Sequence, residues 1–236
     1  MSAPLPMLEI GGVAIDLDGT LLDTIHDLAA AVNALLVDGG QRPLPKERIR
    51  MLVGKGMANL IRRALAESRG VAPQAISEAD AQAALIGYQA HYQALLGNET
   101  RIFPGVLDGL VRLRAMGLPL AIVTNKASRF VRPHLVRAGI EHYFDLVLGA
   151  EALPTRKPEP GPLLHVAHAF GVTPAQLLMV GDSINDAQAA RAAGCPVLIV
   201  PYGYNEGEPV QSIDADGIVP SLAAVADCVR AMPALR

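Results

Sequence analysis

Two aspartates one residue apart, in Asp16-Leu17-Asp18-Gly19-Thr20-Leu21, follow the apolar run Val13-Ala14-Ile15. Side chains of an extended chain alternate with period two, so Asp16 and Asp18 leave the strand toward the same side. Two carboxylates so placed repel each other unless they share a proton or a cation. Gly19 permits a sharp turn, and Thr20 can hydrogen-bond within it. A plain Asp-Gly turn with a solvated acid accounts for one of these carboxylates well and for two poorly.

Further groups capable of chemistry close other apolar runs. Leu177-Leu178-Met179-Val180 passes into Gly181-Asp182-Ser183-Ile184-Asn185-Asp186. Asp182 ends that run, and Asp186, four residues on, can face the same point from a first helical turn. Carboxylate oxygens beside a small glycine suit a hard divalent ion. A helix cap with a favourable acid in its first turn suits the motif equally well when it stands alone. After Ala121-Ile122-Val123 come Thr124, Asn125 and Lys126. A hydroxyl, an amide and backbone N–H groups at a helix start form an anion site, although Thr-Asn also serves as an ordinary cap. Lys157 lies in Thr155-Arg156-Lys157-Pro158-Glu159-Pro160, a loop stiffened by its prolines.

The elements that must hold these groups alternate short apolar runs with amphipathic segments, the pattern of parallel β/α units. Strands are expected at 12–16, 119–124, 146–149, 177–181 and 197–200. Their near-continuous apolar character suits a sheet covered on both faces. Helices are expected at 105–116, 128–138, 162–170, 185–193 and 222–232, with Gly117, Gly139, Gly171 and Gly194 positioned as left-handed caps. Roughly a hundred residues separate the first two strands, far beyond an ordinary crossover of a dozen or more. That interval reads as helices at 24–38, 45–52, 57–68 and 78–96. The fold class is therefore α/β, a Rossmann-like parallel-sheet core with an inserted all-helical cap domain. The core takes residues 1–22 and 103–236, and the cap takes 23–102 as a lid over the C-terminal end of the first strand.

Composition narrows the function classes. The chain has 20 basic and 23 acidic side chains, a net charge of -3, and gives no basic footprint for nucleic acid. The basic cluster Arg42, Lys46, Arg48 and Arg50 reads as a solvated helix face. Cys195 and Cys228 lack metal or redox spacing, so a reducing cytoplasmic setting is expected. Residues 1–9 carry no basic region ahead of an apolar stretch and are not expected to form a signal peptide. No apolar run approaches the roughly 20 residues that span a bilayer. The six histidines read as structural, with His165 and His168 a surface pair. Tyr202 and Tyr204 are expected to line an entrance or to cover the sheet edge.

The four motifs together resemble those of the haloacid dehalogenase superfamily. They stand in that family's order, Asp16-x-Asp18-Gly19-Thr20, then Thr124, then Lys157, then Gly181-Asp182-Ser183-x-Asn185-Asp186, and the insertion falls where the family carries a helical cap. The resemblance implies that Asp16 attacks phosphorus to form an aspartyl-phosphate. It implies that Asp18 protonates the leaving alkoxide and then activates water. Thr124 and Asn125 would hold phosphate oxygens, and Lys157 would pair with both the nucleophile and the phosphoryl group. The implied cofactor is Mg²⁺, on the carboxylates of Asp16 and Asp182 and the backbone carbonyl of Asp18, with Asp186 in support. An acid at position 18 fits phosphate esters, because an alkoxide leaving group needs its proton.

Within the superfamily, Asp27-Leu28-Ala29-Ala30-Ala31-Val32, the run Thr124 to Val131, and Tyr202-Gly203-Tyr204-Asn205-Glu206-Gly207 resemble the bacterial phosphoglycolate phosphatase branch. The implied substrate is 2-phosphoglycolate, a small organic phosphate, with no nucleic-acid or membrane partner and a monomer or homodimer as the assembly. In the loop Val53-Gly54-Lys55-Gly56 the glycines allow close approach, and Lys55, where many relatives carry Asn, is the candidate to pair with a substrate carboxylate. Removing Lys55 is then expected to raise KM for phosphoglycolate far more than for a neutral aryl phosphate. The loop is no nucleotide P-loop, since no Ser or Thr follows and no strand leads into it. Rival readings are a β-phosphoglucomutase-like enzyme, a broad sugar-phosphate phosphatase, and a non-catalytic binding protein on the same scaffold.

Overall fold

A computed structural model of the chain describes residues 7–232. The expectation about residues 1–9 lies, for residues 1–6, outside the described residues. The strands are β1 (Leu8–Ile10), β2 (Gly12–Ile15), β3 (Leu22–Asp23), β4 (Arg101–Ile102), β5 (Leu120–Val123), β6 (Leu146–Leu148), β7 (Leu177–Gly181), β8 (Val197–Ile199), β9 (Gly217–Ile218) and β10 (Val229–Ala231). The helices are α1 (Ile25–Asp38), α2 (Lys46–Arg50), α3 (Met57–Arg69), α4 (Glu78–Leu95), α5 (Val106–Ala115), α6 (Ser128–Arg137), α7 (Gly161–Phe170), α8 (Ile184–Ala193) and α9 (Leu222–Asp227).

Six strands form one parallel sheet in the order β6-β5-β2-β7-β8-β9. Counted along the chain within this sheet the order is 3-2-1-4-5-6, the doubly wound arrangement in which ligands sit beyond the strand ends where the order reverses. Alternation divides the sheet's side chains between two cores. Val13, Ile15, Leu120, Ile122, Leu178 and Val180 pack with α5, α6 and α9. Ala14, Ala121, Val123, Leu177, Met179 and Val197 pack with α7 and α8. Coverage on both faces is why these strands are apolar throughout. Register aligns Ile15 with Ile122 on one side and Val180 on the other, so the residues that follow all three strands emerge at one edge.

The helices α1 to α4 surround a third core of Leu28, Val32, Leu36, Leu60, Ile61, Leu65, Tyr88 and Tyr92. Helix α4 begins at Ser77, whose hydroxyl accepts the Asp80 N–H, and α3 ends at Gly70 in the left-handed conformation. The chain leaves the sheet and returns to it through the antiparallel pair β3 and β4. Buried Asp27 ties the two crossings together, accepting from the Glu99 N–H at 2.9 Å and the Thr100 hydroxyl at 2.7 Å.

Three expectations change. The helix expected over 222–232 stops at Asp227, and Val229–Ala231 forms β10, parallel to β1. That six-residue helix is too short for periodicity to mark its end, and pairing with Leu8–Ile10 overrides local preference. The helix expected over 45–52 contracts to α2, because the Leu52 and Val53 N–H groups turn to the carbonyls three residues back, Ile49 and Arg50. Strands β3, β4 and β9 have two residues each and leave no pattern to read. Among the described residues, no helix is long and apolar enough to cross a membrane.

Candidate active site

Asp16 follows β2, and its N–H makes the last ladder bond, to the Val180 carbonyl at 2.9 Å. The chain then folds back sharply, with Leu21 and Leu22 N–H groups donating to the Leu17 carbonyl. Gly19 holds φ at +91°, and a Cβ there would lie 2.3 Å from Asp182 Oδ2. Gly203 meets the same carboxylate from the opposite loop, where a Cβ would lie 2.2 Å from Oδ2. Asp182 is thus confined between two backbones that approach only because no side chain intervenes. Its Oδ1 accepts the Thr20 hydroxyl at 2.7 Å, and Oδ2 accepts the Tyr204 N–H at 2.6 Å.

Asp16, Asp182 and Asp186 each offer a carboxylate oxygen within 4.8 Å of the others, and all three are buried. Lys157 Nζ lies 2.9 Å from Asp16 Oδ1 and 2.6 Å from Asp186 Oδ1. Three acids facing one ammonium leave the cluster short of positive charge. Burial raises the Asp16 carboxyl to about 6 against the pull of Lys157, with Asp186 adding to the rise. Burial, then Asp16 and Asp186, push Asp182 well above the usual carboxylate range. Burial would lower Lys157, but Asp16 and Asp186 outweigh it and hold its pKa above the ordinary value. Asp16 Oδ1 is buried without a hydrogen-bond partner of good geometry. Hard oxygen donors in charge deficit fit a divalent cation such as Mg²⁺.

The metal residues expected from sequence do not all occupy this cluster in the same way. Asp186 Oδ2 accepts from the Asp182 N–H, the Ser183 N–H and the Ser183 hydroxyl, and Oδ1 takes Lys157. Both its oxygens are thereby engaged in bracing the start of α8. The Asp18 carboxylate turns away from the cluster altogether. It accepts Lys126 Nζ on both oxygens at 2.9 Å and the Thr24 hydroxyl on Oδ1 at 2.9 Å. Burial would raise the Asp18 carboxyl, but Lys126 and His134, with the hydrogen bonds from Lys126 and Thr24, outweigh it and hold it below the ordinary value.

Of the remaining expected residues, Thr124 lines the pocket with its hydroxyl accepting the Lys126 N–H at 3.2 Å, which leaves the hydroxyl proton to donate. Asn125 lines it too, but its amide N–H groups reach the Lys157 carbonyl at 2.9 Å and the Gly54 carbonyl at 3.4 Å. Its side-chain amide braces the Lys157 loop at the edge of the pocket. Gly54 and Gly56 line the pocket and Lys55 does not. The Lys55 side chain is 53% exposed and pairs at 3.3 Å with Glu206, which also takes Arg63 at 2.9 Å.

Sequence reasoning missed a second group of buried polar residues. Lys126 Nζ donates to the Tyr92 hydroxyl at 2.6 Å, and that hydroxyl also meets His134 Nε2 at 3.1 Å. Tyr204 sends its hydroxyl to the start of α1, where it accepts the Thr24 and Ile25 N–H groups at 2.9 and 3.1 Å and donates to Asp23 at 2.6 Å. The Tyr202 hydroxyl donates to the Thr20 carbonyl at 3.0 Å. Arg50, read as part of a solvated face, donates to the Tyr202 and Gly203 carbonyls at 2.6 and 2.8 Å. The run Tyr202 to Glu206 thus touches the acidic cluster, the turn after β2 and the helical layer. Lys126 directly after Thr-Asn was the one legible signal, a charged residue in a segment whose neighbours are buried.

Residues 13–200, more than half of the chain, match the family model described as haloacid dehalogenase-like hydrolase. The chain belongs to this family. Haloacid dehalogenase-like relatives include the phosphoglycolate phosphatase of Thiobacillus denitrificans, 49% identical and covering 95% of this chain and 96% of its own. That of Nitrosospira multiformis is 48% identical, with 94% and 95% covered. Among solved structures, a predicted phosphoglycolate phosphatase from Haemophilus somnus superposes with a TM-score of 0.87 at 34% identity, covering 92% of this chain and 97% of its own.

Proposed function

We propose that this haloacid dehalogenase-like hydrolase cleaves phosphate monoesters through an aspartyl-phosphate on Asp16, with Mg²⁺ as cofactor and 2-phosphoglycolate as substrate. The observation that carries the reading is the division of two neighbouring acids. Asp16 sits between Lys157 and Asp182 in a cation-deficient cluster, while Asp18 stands apart on Lys126 and Thr24. The relatives' names and a small pocket, about 60 Å³, between the strand ends and the helical layer support the substrate reading.

A carboxylate and a phosphate dianion about 4 Å apart repel by roughly 8 kcal/mol at an effective dielectric near 20, which would slow attack by about six powers of ten. Lys157 offsets part of that repulsion. Mg²⁺ held by Asp16 and Asp182, with the Asp18 carbonyl and with Asp186 behind, would supply the remaining positive charge on the phosphoryl oxygens. An Asp16 oxygen attacks phosphorus, the bond from phosphorus to the ester oxygen breaks, and Asp18 gives that oxygen its proton. The Asp18 carboxylate then takes a proton from water, whose oxygen attacks the aspartyl-phosphate, releasing phosphate and restoring Asp16. Asp18 is ionised before substrate arrives; the negative charge of the bound ester raises its proton affinity, and it takes up a proton from solvent before the first step. Thr124 donates to a phosphoryl oxygen. Residues 23–102 act as the cap domain, and residues 1–22 with 103–236 as the core that carries the chemistry.

The test is phosphate release from 2-phosphoglycolate and a panel of sugar phosphates, with Mg²⁺ or with EDTA, for wild type and Asp16→Asn. Metal-dependent release from phosphoglycolate that the variant loses is expected. Release only from sugar phosphates overturns the substrate, and release that survives in Asp16→Asn overturns the mechanism.

A further inference from the structure

A carboxylate carried into a pocket lined largely by buried residues needs a partner there, because an unpaired buried charge is strongly unfavourable. Lys55, the candidate from sequence, is turned outward onto Glu206. Among the described residues the pocket is lined by two cations, Lys157 and Lys126. Lys157 is committed to Asp16 and Asp186 at the phosphoryl end. The helical layer contributes mostly apolar lining, Leu28, Val53, Met57 and Leu60, with Tyr92 as its polar side chain.

The Lys126 side chain is 3% exposed and its Nζ is fixed between both Asp18 oxygens and the Tyr92 hydroxyl. In the reaction proposed above, Asp18 must touch the ester oxygen. In 2-phosphoglycolate the carboxylate carbon lies one bond angle from that oxygen, roughly 2.4 Å away. A cation already in contact with Asp18 is therefore within reach of this carboxylate, and an ammonium has three N–H groups to share between Asp18, Tyr92 and the ligand. The start of α3 at Gly56 and Met57, which carries no side-chain cap, also lines the pocket. Its first-turn amides favour negative charge as well.

We infer that Lys126 is the specificity residue of this site, selecting phosphate esters that carry a carboxylate one carbon from the ester oxygen. The Tyr92 hydroxyl, held by His134, orients the ammonium. This inference rests on the phosphatase reading, and the experiment separates the two.

Wild type, Lys126→Met and Lys126→Arg, each saturated with Mg²⁺, are assayed on 2-phosphoglycolate and on ethyl phosphate, which has a methyl group in place of the carboxylate. Wild type is expected to prefer phosphoglycolate. In Lys126→Met the ratio of kcat/KM values, phosphoglycolate over ethyl phosphate, is expected to fall by about tenfold to a hundredfold, with KM for phosphoglycolate carrying the change. Lys126→Arg is expected to keep most of the ratio, and Lys126→Gln replaces the methionine variant should that one not fold. Equal losses on both esters would overturn the inference, making Lys126 a partner of Asp18 alone. A wild type that does not distinguish the two esters would overturn the phosphoglycolate reading, and the role of Lys126 with it.

Discussion

Two regions a few residues apart in sequence solve opposite electrostatic problems. Around Asp16, three buried acids face one ammonium, and burial drives the Asp16 and Asp182 carboxyl groups up in pKa. Around Asp18, one acid is matched by Lys126 and held down. Burial is common to both, so the difference comes from the count of charges that each is given. The contrast teaches that identical side chains acquire different tasks through their partners. One region waits for a cation, and the other is neutral as built.

The largest expected effect breaks the comparison at its first member. Asp16→Asn should lower kcat by roughly 10⁴-fold or more, yet metal-free thermal unfolding should show stability held or raised, since it removes one of three mutually repelling acids. Asp18→Asn should do the reverse in stability, losing about 3 kcal/mol because buried Lys126 loses its counter-charge, while kcat falls by about 10²- to 10⁴-fold. Chemical unfolding of both variants without metal decides the matter, and equal stability changes would remove the distinction.

The pH dependence should also run in opposite directions. The folded-state pKa of Asp16 is raised from 3.8 to about 6. Its contribution to metal-free stability is full below 3.8 and is lost as pH rises through about 6. His134 beside Lys126 is lowered from 6.5 to about 4, by burial and then by Lys126. Its contribution is present above 6.5 and is lost as pH falls through about 4. Because a bound cation requires ionised carboxylates, the gain in Tm from Mg²⁺ over EDTA should be several degrees larger near pH 7 than near pH 5. Scanning calorimetry of wild type and Asp182→Asn checks this, the variant losing the gain at both pH values.

Smaller effects sharpen the boundary between sheet and helical layer. Tyr204→Phe should cost about 1–3 kcal/mol of stability, since it strips an acceptor from the Thr24 and Ile25 amides. Lys55→Ala should change stability by less than about 1 kcal/mol, its half-exposed pair with Glu206 being screened. Its kcat/KM for 2-phosphoglycolate should stay within about twofold of wild type, as expected for a side chain outside the pocket. A larger KM effect would return Lys55 to the site.

Much of this was legible in the sequence where one physical constraint acts locally. Val13-Ala14-Ile15 and Leu177 to Val180 announce covered strands, and acids directly beyond them must meet wherever parallel strands align. The helices from Ile25 to Leu95 were readable from their apolar period, α2 excepted at its end. The contacts of Lys126, Tyr92, Tyr204 and Arg50 across the helical layer were not, because those partners lie 34 to 181 residues away. The outward direction of Lys55 was hidden for a related reason. A charge between two glycines looks poised for a ligand, and only the direction of the loop decides which way it faces. Asn125 was placed correctly at the strand end, but its hydrogen bonds go to the Lys157 loop.

The run from Tyr202 to Glu206 has a practical consequence. Exposed loops between elements ordinarily accept extra residues at small entropic cost. Here five consecutive residues serve as fittings for different parts of the molecule: Tyr202 on Thr20, Gly203 and the Tyr204 amide on Asp182, the Tyr204 hydroxyl on α1, Asn205 on the Ile184 N–H, and Glu206 on Arg63. Lengthening the run by one residue would displace every fitting beyond the insertion by a full residue step. For tags, permuted termini or grafted segments this loop behaves as a part of fixed length, however much of it faces solvent.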